Sequence, residues 1–570
     1  MPEIHRNIPD SAGLNAFYAD PAMRQLLKVY LDADTFAALL PHLDRMGALA
    51  GGELEELALA ADKNPPVLHL RNRIGADDQR IEKHPAYQRL EHYAFGEFGL
   101  AAMSHRGGVF GRPDTLPPLA KYALVYLFVQ AEFGLCCPLS MTDSLTRTLV
   151  KFGDPELVAE YFDQLTSQDM DVAFQGAMFM TEQVAGSDVG AIETVARRDD
   201  DGDWRLYGDK WFCSNPDADL AMVLARPEGA GEGTRALSLF LLPRRLPDGS
   251  PNAYRILRLK DKLGTRSMAS GEIALEGAVA HLVGDPGQGF KQMTDMINMS
   301  RLANGVRSAG MMRRSVAEAL FIARNRTAFG QRLADLPLMR RQLLKMHVTA
   351  EQGRSMVFHT ARVLQRADAG DATAAKVLRI LTPLLKFRTC RDARKVAGDA
   401  MEVRGGCGYI EEFSDARVLR DSHLGSIWEG TSNIVALDVA RATRREGALA
   451  ALRAHLDALS DEAGNMLPGG LRETMTRACA YMEAVAADKA REGEVRQAAS
   501  AVYNAASAVI MAWEDARMSG STGDRARLAA MVLKHKLLPA DPLAGGDESA
   551  DADLLDRAIR EAEPMRQAAE

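Results

Sequence analysis

Aromatic residues make up only 6% of the 570 residues, there are only six cysteines, and basic side chains are fewer than acidic ones, 69 against 77. Each shortage excludes something. Cys136 and Cys137 are adjacent, a poor disulfide geometry, and together with Cys213, Cys390, Cys407 and Cys479 they show no metal-ligand spacing. The expectation is a reducing cytoplasm and no metal site. A net charge of −8 repels a polyanion, so binding to nucleic acid would need a local basic patch. No apolar run approaches the roughly 18 residues of a membrane helix, and the N-terminal MPEIHRNIPDSAG has no apolar signal core. Neither a membrane span nor Sec export is expected.

What is present reads as a globular chain of three or four domains, 47% hydrophobic and rich in Met, which fills helix interfaces. Residues 1–168 read as helical, broken at Asn64-Pro-Pro66. Over 169–290 the texture changes to short apolar runs, AFQGAMFM, AMVLAR, ALSLFLLP and GEIALEGA, separated by Asp/Gly/Pro turns, which predicts a small β domain. Residues 291–445 return to helical periodicity. There Val377, Ile380, Leu381, Leu384 and Leu385 form one buried face of a helix that Pro383 is expected to kink. Residues 446–570 form an Ala-rich helical extension, interrupted at Pro468-Gly-Gly470 and Pro539-Ala-Asp-Pro542, with an acidic end expected to be mobile. No strand–GxGxxG–helix or GxxxxGK[ST] pattern occurs, so Rossmann and P-loop readings lack support.

Three segments carry chemistry. In Met180-Thr-Glu-Gln-Val-Ala-Gly-Ser-Asp188, Gly186 permits close backbone approach, and Thr181 and Ser187 offer hydroxyls to a flat polar ring; taken alone, the segment reads better as a plain turn. In Lys210-Trp-Phe-Cys-Ser-Asn215, Phe212 and Ser214 lie two apart on a strand and share a face, as they also would in a core strand ending in a turn. In Ser426-Ile-Trp-Glu-Gly-Thr-Ser-Asn-Ile434, a lone Glu429 sits between Trp428 and Gly430. Burial there would raise its pKa toward that of a general base, while a solvated loop Glu is the bland alternative.

Taken in order and interval, these segments resemble the acyl-CoA dehydrogenase superfamily. The likeness extends to Ala323-Arg-Asn-Arg-Thr-Ala-Phe-Gly330 and Met401-Glu-Val-Arg-Gly-Gly-Cys-Gly-Tyr409, and runs from about Asn64 to Arg445. It implies a mainly α fold with a central β-barrel: a helical domain, a barrel and a four-helix bundle, here followed by the extension. It also implies FAD, an acyl-CoA substrate, a homotetramer built as a dimer of dimers, and an electron-transferring flavoprotein as acceptor. Position by position, Met178, Met180, Thr181, Gly186 and Ser187 would hold the flavin end, Phe212 would stack near it and Ser214 would meet its reactive nitrogen. Trp428, Thr431 and Asn433 would also contact FAD. Arg326, Phe329, Glu402, Gly405 and Gly406 match segments that bind the dinucleotide of a neighbouring subunit. Glu429 would take the α-proton while the β-hydrogen leaves as hydride to FAD, with Ser187, Arg301 and Gly430 on the substrate side.

Departures choose a branch. Phe212-Cys-Ser replaces a common Trp-Ile-Thr, Pro337 stands where a Gln is frequent, and Glu402 replaces a usual Gln. Asn64-Pro-Pro66, His84-Pro85, Leu259-Lys-Asp-Lys-Leu-Gly264 and the extension resemble the AidB-like, alkylation-response branch, some of whose members associate with DNA. That gives an alternative, a DNA-associated flavoprotein with little dehydrogenase activity. Against it, residues 446–570 hold 14 Lys and Arg but 21 Asp and Glu, a net −7. An acyl-CoA oxidase is a further alternative; nitroalkane oxidases of this fold use Asp where this chain has Glu429.

Overall fold

The computed structural model describes residues 8–541, 543 and 549–561, so part of the acidic end lies outside the described residues. The chain forms two compact units. One comprises Glu56–Pro117 and Glu132–Ala303; the other comprises the residues up to Glu55, Pro118–Ala131 and those from Asn304 onward.

The first unit is built on a barrel. Leu220–Pro227 pairs in parallel with Val195–Arg198, which pairs antiparallel with Trp204–Ser214. That strand pairs with Ser270–Val283, which pairs with Ser238–Pro243, and Ser238–Pro243 returns to Leu220–Pro227. Five strands therefore close on themselves and leave no free edge within the ring. Gly176–Phe179 joins in parallel on Leu220–Pro227, and Tyr254–Leu259 antiparallel on Ser270–Val283. Alternation fills the inside: Ala221, Val223 and Ala225, two apart along one strand, pack with Phe179, Leu206, Phe240, Ile256 and Ile273.

A β-hairpin, Val67–Arg71 against Asp77–Glu82, departs from the all-helical reading of residues 1–168. Pro65 and Pro66 follow the helix Glu53–Lys63, and Leu68 and Ile81 pack against the barrel core, a tertiary contact that such short runs do not announce.

The second unit is helical. Its long members are the part of Gly289–Asn325 from Asn304 onward, Pro337–Asp368, Ala372–Arg404 and Ser432–Glu446. Ala372–Arg404 starts at Asp371, whose carboxylate accepts from the Thr373 and Ala374 N–H groups, and continues through Pro383 as one helix. The expected face, Val377, Ile380, Leu381, Leu384 and Leu385, is buried. Among the described residues no helix is long and apolar enough to cross a membrane.

The extension packs into this same unit through the helices Ala448–Ala463, Leu471–Ala487, Val495–Arg517 and Asp524–Val532. Val495–Arg517 lies against Pro337–Asp368 and Ala372–Arg404. A chain of buried charges fastens it. Arg313 meets Asp20 at 3.3 Å, and Asp20 receives Arg354 at 2.5 Å. Arg354 also reaches Glu351, which receives Arg525 at 2.8 Å, and Arg525 meets Glu514 at 2.7 Å. Three guanidinium groups and three carboxylates alternate, and none of the six residues is more than 6% exposed. The charge balances within the core, as burial of ions requires.

Next to this chain, His455 of the extension faces His359, Nε2 to Nε2 at 2.8 Å, while Tyr30 Oη lies 3.4 Å from His359 Nδ1 and donates to Glu514 at 2.7 Å. Burial pushes both imidazoles down, His455 to about 4. Unfolded histidines protonate near pH 6.5, so folding excludes protons, and stability is lost as pH falls from there toward 4. The urea midpoint is expected to drop between pH 7 and 5, and His455→Gln to drop less; equal slopes would count against the pair.

Candidate functional site

In the barrel unit, the first two chemical segments lie side by side. Lys210, fully buried, donates to Glu182 at 2.6 Å and to the Leu224 carbonyl at 2.9 Å. Glu182 also accepts from the Glu193 N–H and the Thr194 hydroxyl, and the Trp211 N–H donates to Thr181 O at 2.8 Å. Burial lowers the Lys210 ammonium even though Glu182 supports its charge, and Lys210, despite burial, helps hold the Glu182 carboxyl below its ordinary range. Neither role was legible: Glu182 and Lys210 stand inside the quoted motifs as ordinary loop and strand charges.

This clamp leaves Gly186 and Ser187 exposed and Met178, Met180 and Thr181 half-buried. A Cβ on Gly186 would meet nothing within 4 Å. The strand Trp204–Ser214 shifts register between Lys210 and Cys213, a bulge that turns Phe212 out to 58% exposure while Cys213 points into the core. Ser214 is half-buried beyond it, on the same side of Cys213 as Phe212. Arg301 is buried, with Nη1 3.4 Å from Asn298 Oδ1.

In the helical unit, Glu429 lies on the turn between Asp415–Leu424 and Ser432–Glu446. It is half-buried with φ 53, and Gly430 follows at φ 97. A left-handed turn of this kind projects the carboxylate away from the helix path and strains any residue but glycine. Lys386 donates to the Gly430 carbonyl, and the Arg307 guanidinium lies 5.4 Å from the Trp428 ring centre. A Cβ on Gly425 would come within 2.8 Å of Ser308 Oγ, so glycine lets the turn approach the helix that carries Arg307 and Ser308. One turn earlier on that helix, Asn304 is fully buried, and neither atom of its amide is hydrogen-bonded among the described residues. Thr431 and Asn433 are exposed, and Asn433 accepts from Arg496 of the extension at 3.3 Å.

The two remaining segments meet in the same unit. Phe329 and Gly330 form the two-residue turn of a hairpin, Thr327–Ala328 with Gln331–Arg332, with φ of 53 and 79. Consecutive positive φ values are the mark of a type I′ turn, and they throw the Phe329 ring out to 92% exposure. Arg326 donates to Arg404 O at 2.8 Å, beside Gly405. Glu402, Gly405 and Gly406 are exposed, and Pro337 opens the helix Pro337–Asp368 at its first position.

Glycines within one motif should differ. A Cβ on Gly408 would sit 2.4 Å from the Met401 carbonyl oxygen, whereas one on Gly406 would meet nothing within 4 Å. Gly408→Ala is expected to destabilise the protein by about 1–3 kcal/mol and Gly406→Ala to leave stability unchanged. Equal losses in urea unfolding would contradict this packing.

Comparison with known proteins agrees with this arrangement. Residues 7–172 match the model of the adaptive response protein AidB N-terminal domain, 177–278 the acyl-CoA dehydrogenase middle domain and 287–443 the acyl-CoA dehydrogenase C-terminal domain. Acyl-CoA dehydrogenase family member 11 of Caenorhabditis elegans is 33% identical over 75% of this chain and 70% of its own length. The putative acyl-CoA dehydrogenase AidB of Escherichia coli is 36% identical over 70% and 73%. The crystal structure of Caenorhabditis elegans ACDH-11 in complex with C11-CoA superposes with a TM-score of 0.86 at 28% identity, covering 97% of each chain. The chain therefore belongs to the acyl-CoA dehydrogenase family, an oxidoreductase family, in the branch that carries an AidB-type N-terminal domain.

Proposed function

We propose that the protein is an FAD-dependent acyl-CoA dehydrogenase that removes the α-proton of an acyl-CoA thioester with Glu429. The observation that carries the reading is the Glu429 turn. A carboxylate in left-handed strain, flanked by Trp428 and Gly430 and braced by Lys386 and Arg307, is held in place at a cost that a solvated loop residue would not need.

The residues fit the cofactor typical of the family, seen in a Bacillus anthracis acyl-CoA dehydrogenase complexed with FAD. Open glycines at 186 and 406 allow close approach of a phosphate chain or ring edge, Phe212 offers an exposed face, and the Asn304 amide, without a partner among the described residues, offers a donor and an acceptor. Thr181, Ser187, Phe212 and Ser214 would hold the flavin end, and Arg326, Phe329, Gly405 and Gly406 the dinucleotide of a neighbouring protomer. When bound, FAD supplies the two-electron acceptor for the β-hydrogen. The chain's part is to orient and to move a proton: the Gly430 N–H polarises the thioester carbonyl, the α-carbon becomes more acidic, and Glu429 takes its proton. C11-CoA on the nematode relative supports a thioester ligand. In this reading residues 1–168, 169–290, 291–445 and 446–570 are the four domains of each protomer of a homotetramer, with an electron-transferring flavoprotein as acceptor.

Anaerobic titration of the purified protein with short, branched and long acyl-CoAs tests the proposal. Bleaching of the flavin absorbance by one class is expected. A bound flavin that no thioester bleaches, with duplex DNA bound in a salt-dependent way, would put the DNA-associated reading in its place.

A further inference from the structure

In the helical unit four arginines, Arg388, Arg391, Arg394 and Arg496, come together around a single carboxylate, Asp392. Arg388, Arg391 and Arg394 follow one another at three-residue spacing on the helix Ala372–Arg404. The carboxylate among them, Asp392, is engaged by Arg388 at 2.5 Å. Arg391 and Arg394, both half-buried, have no hydrogen bond or ion pair among the described residues. Burial disfavours the Arg391 charge, and Arg496, Arg394 and Arg388 disfavour it further, with Asp392 opposing. Arg496 comes from the extension, at the second position of Val495–Arg517, and its guanidinium donates to Asn433, in the first turn of the helix that follows Glu429.

Arg391 and Arg394 are half-buried and Arg496 is exposed; the like charges repel one another, and an anion that joins them relieves the repulsion. Guanidinium groups are planar forks suited to phosphate oxygens. We propose that Arg391, Arg394 and Arg496 form a binding site for a phosphate group of a nucleotide ligand, so that the C-terminal extension supplies part of a ligand site next to the catalytic turn. The nucleotide, FAD or CoA, rests on the function proposed above; the anion site itself rests on the charge arrangement.

The test uses full-length protein as purified, with Arg391→Gln, Arg496→Gln and the conservative Arg496→Lys, and with exposed Arg453→Gln as a charge control. If the site holds a phosphate of FAD, both Gln variants are expected to lose flavin about tenfold more readily on dilution, and pyrophosphate to speed flavin loss from the wild type. If the phosphate is from CoA, flavin retention stays constant and CoA affinity falls about tenfold by calorimetry. In either case Arg496→Lys loses less than Arg496→Gln, Arg453→Gln behaves as wild type, and Arg391→Gln unfolds at a higher temperature without ligand because repulsion is relieved. Unchanged FAD and CoA binding in both Gln variants overturns the proposal, as does duplex DNA binding that Arg391→Gln abolishes while nucleotide and pyrophosphate binding persist. Protein that carries no flavin would sink the proposed function alone, and direct binding of pyrophosphate, lost in the two Gln variants, would still support the site.

Discussion

Glu429→Gln is expected to keep its flavin and to slow thioester-dependent flavin bleaching by about 10²–10⁴-fold, the range that a positioned general base contributes. The amide has nearly the shape of the carboxylate but cannot accept the α-proton. Glycine at the same position separates chemistry from stability. With φ at 53, Glu429 carries left-handed strain that glycine lacks, a difference of about 1 kcal/mol. Glu429→Gly should therefore be as inactive as Glu429→Gln yet unfold no earlier than the wild type. Rapid-mixing absorbance with the best substrate, alongside urea unfolding, measures both. Bleaching at the wild-type rate in Glu429→Gln would remove Glu429 from the role of base.

The largest stability effect is expected at Arg354. Its guanidinium, fully buried, holds Asp20 at 2.5 and 2.6 Å and also reaches Glu351. Arg354→Met strands net negative charge in the core and is expected to cost about 3–5 kcal/mol. Adding Asp20→Asn should recover part of the loss, because the two residues share one interaction and their effects do not add. Acid should reach the same network. Burial alone would raise the Glu351 carboxyl, but Arg354 and Arg525 beside it hold it well below the ordinary carboxylate range. A carboxyl lowered in the fold contributes stability that is present above its unfolded pKa, near 4.3, and is lost as pH falls below that value. Arg354→Met should flatten this acid limb. A loss under about 1 kcal/mol would show that the network is solvated rather than closed.

The parts of the fold that could be read from the chain were those marked by periodicity or punctuation. The 377–385 face, the break at Pro468-Gly-Gly470 and the switch to short apolar runs near residue 171 all correspond to elements of the structure. What escaped reading had no local signal. Val195–Arg198 and Tyr254–Leu259 are strands because neighbours pair with them, and the hairpin at 67–82 exists because Leu68 and Ile81 reach the barrel core. Pro383, expected to kink its helix, does not end it: residues 380–387 are all buried, and their packing carries the helix past the missing hydrogen bond.

The candidate site divides in the same way. Motif order alone identified the family and singled out Glu429, because a carboxylate between a large aromatic and a glycine is a local arrangement of residue types. Tertiary structure decided the rest. It set the left-handed turn at Glu429, and it tied Met180–Asp188 to Lys210–Asn215 through the buried Lys210–Glu182 pair. It also brought Arg496 of the extension to Asn433, 63 positions away. Residue identity along a chain reports chemical capacity and short-range conformation. Which charges meet, and which are left without an anion, depends on contacts between segments far apart in sequence, and those are made only when the hydrophobic faces close.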